Sequence, residues 1–241
     1  PGTVVDAALG RSRVAGAMLK GPDGRRRQVS CDLLAVAGGW IERNATSLGA
    51  VDRALAGTFR LVVPLLVLTL VSRAVSREGL GPGTFSLARF GVPRFAVALG
   101  IVGGAALVCA ASGAVLAAVT VAFAHTPTSP PLAFDLLQSA WIGAVTSLAY
   151  AAWTAFGSTY FRGRGRWMPV SADYLLGGTT GLAGALLPRA HATSLLGLGA
   201  GPLDLPPIAS FGALFAMALL LTLAAATRCG RGTARAGDGS R

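Results

Sequence analysis

One acid, Asp173, lies inside the otherwise uncharged run MPVSADYLLGGTTGLAGALL (168–187). A carboxylate in such surroundings is costly and is a candidate intramembrane polar group, either pairing with a basic side chain or taking part in the passage of cargo. It stands about one and a half helical turns from Trp167 and the cluster Arg162–Arg166, so an interfacial pairing with one of those arginines is the simpler expectation. The other reactive residue types are scattered. His125 and His191 are isolated and predicted to be external, which gives no metal site. Cys31, Cys109 and Cys229 form no CxxC pair, so neither zinc nor a disulfide framework is supported, and Cys109 is expected to be a small packing residue. The single lysine, Lys20, follows AGAML and not the glycine cradle of a P-loop. No Ser/His/Asp set or carboxylate pair has a spacing that would assemble a hydrolase. The chain is therefore expected not to be an enzyme, with no catalytic, cofactor-binding or metal residues of its own.

Charge is concentrated instead in SREGLGPGTFSLARFGVPR (76–94), after which the forty residues from Phe95 to Phe134 carry no Lys, Arg, Asp or Glu. The elements around that loop follow from composition. Of the 241 residues 53% are hydrophobic and only 13% charged, with a mean hydropathy of +0.61. A soluble domain carries roughly a quarter charged residues. The predicted fold is an all-α polytopic membrane protein of about five transmembrane helices with a small N-terminal β-hairpin-like segment. The net charge of +11 sits in short clusters between uncharged stretches. It is read as a topology signal, and no nucleic-acid partner is expected. Runs near the 20 residues that a bilayer requires lie at about 54–75, 95–124, 136–161, 168–187 and 207–227. The first has an uninterrupted core of only twelve residues, Leu61–Ser72, and a buried soluble helix is its other reading.

Of the twelve basic residues from position 61 onward, eleven fall in or beside the loops after the first and third spans and in the tail, and only Arg189 falls in an alternate loop. This asymmetry places those loops and the C-terminus in the cytoplasm, with residues 229–241 a basic disordered cytoplasmic tail. Residues 1–60 hold nine further Lys and Arg, poor material for a short external segment, so either an earlier span is missing or the N-terminal part is a separate module. Glycines in GIVGGAALVCAASGAV and GGTTGLAGA are expected to mark close helix packing or a dimer seam. Gly79, Gly81, Pro82 and Gly83 are expected to interrupt the loop's helix, and Thr84 to cap a short helix over roughly Phe85–Phe90.

Glu78, Gly83-Thr84, Leu87 and Pro93-Arg94 at the mouth of the next span resemble the segment after the second helix of ABC-2 type transporter permeases. Spans, loops and basic tail over about residues 50–235 are similar to the second to sixth helices of that family, whose first helix is missing here. Arg77 and Leu87-Ala88 depart from the acidic and paired-Leu positions of the pattern. The resemblance implies a permease subunit of an exporter in the bacterial cytoplasmic membrane, working by alternating access with a second permease copy. ATP would be bound by a separate ABC ATPase subunit, received at a coupling loop of Arg77, Glu78, Gly83, Thr84, Arg89 and Arg94. The plainer reading of these charges is that they fix topology at the interface. The lipid bilayer is the remaining partner, and the cargo is not specified by a Gly, Ala, Leu and Ser lining.

Within residues 13–40, the run from Cys31 to Trp40 (CDLLAVAGGW) resembles the end of the nucleotide-binding domain of sarcosine oxidase alpha-type flavoprotein oxidoreductases. No GxGxxG accompanies it, so this part would hold no FAD or NAD alone. Residues 1–48 are accordingly expected to be an oxidoreductase remnant in place of the first helix, or a genuine hairpin extension of the permease domain at 49–228. Two other readings stay open for the whole chain: an oxidoreductase-derived fusion with a membrane anchor, and a membrane scaffold that transports nothing.

Overall fold

The computed structural model describes residues 4–9, 16–20, 26–29, 50–126, 131–177, 181–198 and 202–231. The Cys31–Trp40 run and the tail from residue 232 lie outside the described residues. The chain divides into two units, Pro1–Ala50 and Val51–Arg241. In the first, β1 (Val4–Leu9), β2 (Gly16–Lys20) and β3 (Arg26–Val29) pair antiparallel in the order β1-β2-β3. Their register runs from Ala17↔Val29 to Lys20↔Arg26 in the second pair and shifts by one between Val5 and Ala7 in the first.

The second unit is helical. Four segments are long and apolar enough to cross a membrane: Val51–Ala74, Arg94–Ala124, Leu132–Gly157 and Pro207–Arg231. Their outward faces carry Phe123, Leu137 and Ile208 at 89%, 73% and 76% exposure. Such a surface is stable in hydrocarbon and costly in water, and these helices fit a membrane protein.

The first segment is composite. Helix α1 (Ala50–Gly57) passes through a π-helical turn (Thr58–Val62) into α2 (Val63–Ala74). Val51, Leu55, Phe59, Val63, Val67, Val71 and Val75 are all buried, one at every fourth position. In an α-helix each four-residue step overshoots a full turn by about 40°, so this stripe would wind off the core. The wider π turn, in which the Val63 N–H reaches back to the Thr58 carbonyl, takes up part of that drift. Pro64 follows at once, and the same turn relieves the clash its ring would make with the carbonyl four residues back.

Short turns α3 (Leu80–Gly83) and α4 (Phe85–Ala88) precede α5 (Arg94–Ala124). Helix α5 packs along α6 (Leu132–Gly157) through the buried small-residue stripe Ala98, Val102, Ala106, Cys109, Gly113, Ala117 and Val121. Contact is closest where Gly113 meets Gly143 and Ser147, with no room for a Cβ at either glycine. Gly100, Gly103 and Gly104, by contrast, have no other part of this chain within reach of a Cβ.

The fourth predicted span, 168–187, is not one helix. After a 3-10 turn (Phe161–Trp167) come α7 (Met168–Leu176), α8 (Leu182–Ala185) and α9 (Pro188–Leu195), then a 3-10 turn (Pro202–Asp204) and α10 (Pro207–Arg231). Leu187 is extended (φ −117°, ψ 127°) because it precedes Pro188, whose ring disfavours the helical conformation there. The ends of α6 and α10 lie together, Arg228 stacking 3.9 Å over the Tyr160 ring. Residues 157–207 therefore return along the length of the bundle in pieces.

Candidate functional site

The arginine-rich end of the bundle is a folded surface built from two connections, residues 75–93 and 158–166. Helix α2 stops as Val75 turns extended (φ −99°, ψ 142°). Ser76 to Gly79 then close a tight turn: the Gly79 N–H donates to the Ser76 carbonyl at 3.0 Å, and the Ser76 hydroxyl to the Gly79 carbonyl at 2.6 Å. Gly79 has φ +109°, and a Cβ there would collide with the Ser158 carbonyl and approach Gly163. Gly163, at φ +81°, lies equally tight against the backbone of Arg77 to Gly79. Only glycine satisfies both the backbone angle and the contact. Arg166 completes the clamp, donating through Nε to the Gly163 carbonyl at 2.8 Å and through Nη2 to the Arg77 carbonyl at 2.7 Å.

Beyond the turn, Leu80 and Thr84 are fully buried. Thr84 does not cap a helix with its side chain as predicted. Its hydroxyl donates to the Gly81 carbonyl at 2.7 Å and accepts from Arg94 Nε at 3.1 Å, while Arg94 Nη2 donates to Gly81 O at 2.9 Å. The hydroxyl turns inward because the arginine offers a charge-assisted bond. The guanidinium also lies 3.9 Å over the Phe85 ring. The Leu80–Gly83 stretch, expected to interrupt helix, forms a single helical turn with the Gly83 N–H on the Gly79 carbonyl at 3.3 Å.

Among the predicted site residues, Gly83, Thr84 and Arg94 thus belong to the frame. Arg77 and Glu78 are exposed and line a cavity of about 540 Å³ with Phe161 and Arg164. Arg89 sits apart, 5.0 Å over the Phe90 ring. The outward side of α4 and the residues after it carries Phe85, Leu87 and Phe90, the last 71% exposed. Sequence reasoning named the charges and Leu87 but did not single out Phe85 and Phe90 as an exposed apolar surface. Their signal was three large apolar residues within six positions of a charged loop. Arg166 was also missed as a clamp, because its acceptor is a backbone carbonyl 89 positions away.

Asp173 is buried. Its Oδ2 accepts the Tyr150 hydroxyl at 2.5 Å and its Oδ1 the Arg189 N–H at 3.2 Å, so its partners are a phenol and the first turn of α9 in place of the expected arginines of the 162–166 cluster. Helix α7 carries the carboxylate inward, where a hydroxyl and a helix N-terminus are the donors in reach. On α6, Thr146 and Thr154 flank Tyr150 one turn to either side, and their buried hydroxyls have no partner among the described residues. His191 is buried in α9 with Nε2 2.9 Å from the Ala185 carbonyl. Arg60 lies 5.6 Å from the Tyr174 ring centroid. Among the described residues no three metal-ligating side chains come together. The chain matches no protein-family model, no curated protein and no solved structure.

Proposed function

We propose that this chain is the membrane-spanning permease subunit of an ABC-2 type exporter. In this reading it lies in the bacterial cytoplasmic membrane, with the arginine-rich end and the C-terminus on the cytoplasmic side. A second permease copy completes the path, and a separate ATPase subunit supplies ATP hydrolysis. The observation that carries the reading is the clamped 76–94 loop. A linker that only fixed topology would need arginines but no tertiary structure. This one is held by Gly79 against Ser158 and Gly163, by Arg166 on Arg77 and by Arg94 on Thr84 and Gly81. It presents Phe85, Leu87, Arg89 and Phe90 outward from a frame joined to the ends of α2, α5 and α6. A load applied to α4 would reach three spans together, as a subunit moved by an external motor requires.

The test is co-purification from native membranes in mild detergent, comparing wild type with Glu78→Arg and Phe90→Asp. Both side chains are exposed, so neither change should unfold the chain. A P-loop ATPase retained by wild type and lost from both variants at equal expression supports the coupling role. If wild type stays folded and brings down no ATPase, the exporter reading falls and a non-transporting scaffold takes its place.

A further inference from the structure

A second concavity opens at the same end, between the end of α6, the last turns of α10 and the 76–94 loop. It measures about 680 Å³ and is lined by Arg94, Arg228 and Arg231 together with Tyr160, Phe156 and Thr227, among others, and by no carboxylate among the described residues. We infer that this cavity binds the phosphate of an anionic lipid headgroup.

Three guanidinium groups around one hollow concentrate positive charge that an anion would balance, and the contacts that orient two of them are with uncharged groups. Arg94 spends its donors on Thr84 and Gly81, both uncharged. Arg228 is oriented by stacking 3.9 Å over Tyr160, a contact that engages the face of the guanidinium and leaves its edge N–H groups for a bidentate acceptor. Arg231, the final residue of α10, is exposed at the rim. The Thr159 and Thr227 hydroxyls donate to carbonyls of their own turns, so the arginines are the donors that an incoming phosphate would meet.

A lipid, and not a soluble phosphate, fits the rest of the surface. Arg231, Thr227, Leu223 and Leu220 follow one another at spacings of four, four and three along α10, and all four are exposed. That spacing keeps them on one helix face. A phosphate seated on Arg228 and Arg231 would therefore lay an acyl chain down an apolar track on the outside of the bundle. Basic pockets between membrane helices near their ends are of the kind that hold anionic headgroups. The assignment needs a membrane but not an ATPase, so it stands or falls separately from the export reading. The plainer role of two arginines in a last helical turn is to balance the helix dipole, and that role requires no lipid.

The test uses the full chain in a neutral detergent, titrated with phosphatidylglycerol, phosphatidylcholine or inorganic phosphate. The readout is the temperature at which half the monodisperse protein is lost on size exclusion. Phosphatidylglycerol should raise that midpoint by roughly 5 °C at saturation, with phosphatidylcholine and inorganic phosphate ineffective. Arg228→Gln and Arg231→Gln should each lose more than half of the shift, whereas the charge-matched change Arg53→Gln, at the far end of the first span, should keep it. Should a glutamine variant fail to fold, the pair Arg228→Lys and Arg231→Lys, which keeps the charge and loses the fork, should show a reduced but measurable shift. An undiminished response in the variants, an equal response to phosphatidylcholine, or reproduction of the shift by inorganic phosphate each overturns the lipid assignment.

Discussion

Residues 95–124 and 168–187 are both apolar and glycine-rich, yet the first lies within the unbroken helix α5 and the second is divided between α7 and α8. Glycine content does not separate them. Along α5 the inward stripe is small and free of charge, so a straight helix buries it against α6 without burying a carboxylate. The 168–187 stretch contains a carboxylate, and burying it requires donors. One comes from Tyr150 on α6 and the other from the start of α9, which the chain delivers to Asp173 by turning back through an extended Leu187 into Pro188. Apolar length therefore proposes a span, and a buried acid decides whether the span stays straight.

The comparison breaks most severely at Gly113, where a side chain would occupy the space of Ser147 and the Gly143 carbonyl. Gly113→Leu should force α5 from α6, cost about 3 kcal/mol or more and leave little monodisperse protein after detergent extraction. Next in size is Asp173→Ala, which strands the Tyr150 hydroxyl and the Arg189 N–H in the interior. A cost of about 1–3 kcal/mol is expected, read as a lowered midpoint of heat-induced aggregation. Asp173→Asn, keeping an acceptor, should lose less; equal loss in both would show that charge and not hydrogen bonding holds the break in place. The smallest effect should come from Gly104→Ala. That glycine faces open space, so the change should be neutral or stabilise by up to ~1 kcal/mol through helix propensity. A clear destabilisation there would reveal that this face of α5 is covered in the native assembly.

Much of this architecture was legible in the chain. Uncharged length located Phe95–Ala124 and Pro207–Thr227 most directly, since they have no other way to satisfy their backbone in lipid. The arginine-bearing stretches 76–94, 162–166 and 228–231 were grouped by sequence and lie at one end in the structure. What escaped were relations between distant positions. Nothing near Tyr150 announces that it will meet an acid 23 residues on, and nothing near Thr84 announces that Arg94 will outcompete its capping role. The π turn escaped for a different reason: its cause is a packing period and not a local propensity.

That turn bears on how the chain tolerates changes of length. Because buried residues of the first segment recur every four positions from Val51 to Val75, the π turn takes up part of the drift that such spacing accumulates in a straight α-helix. Removing a single residue between Thr58 and Val62 would convert the π turn to α-helix and take up the slack locally, with both flanking stripes still facing the core. The same deletion in the middle of α5 would rotate half of its small-residue stripe by about 100° away from α6. A one-residue deletion should therefore be better tolerated between Thr58 and Val62 than in the middle of α5.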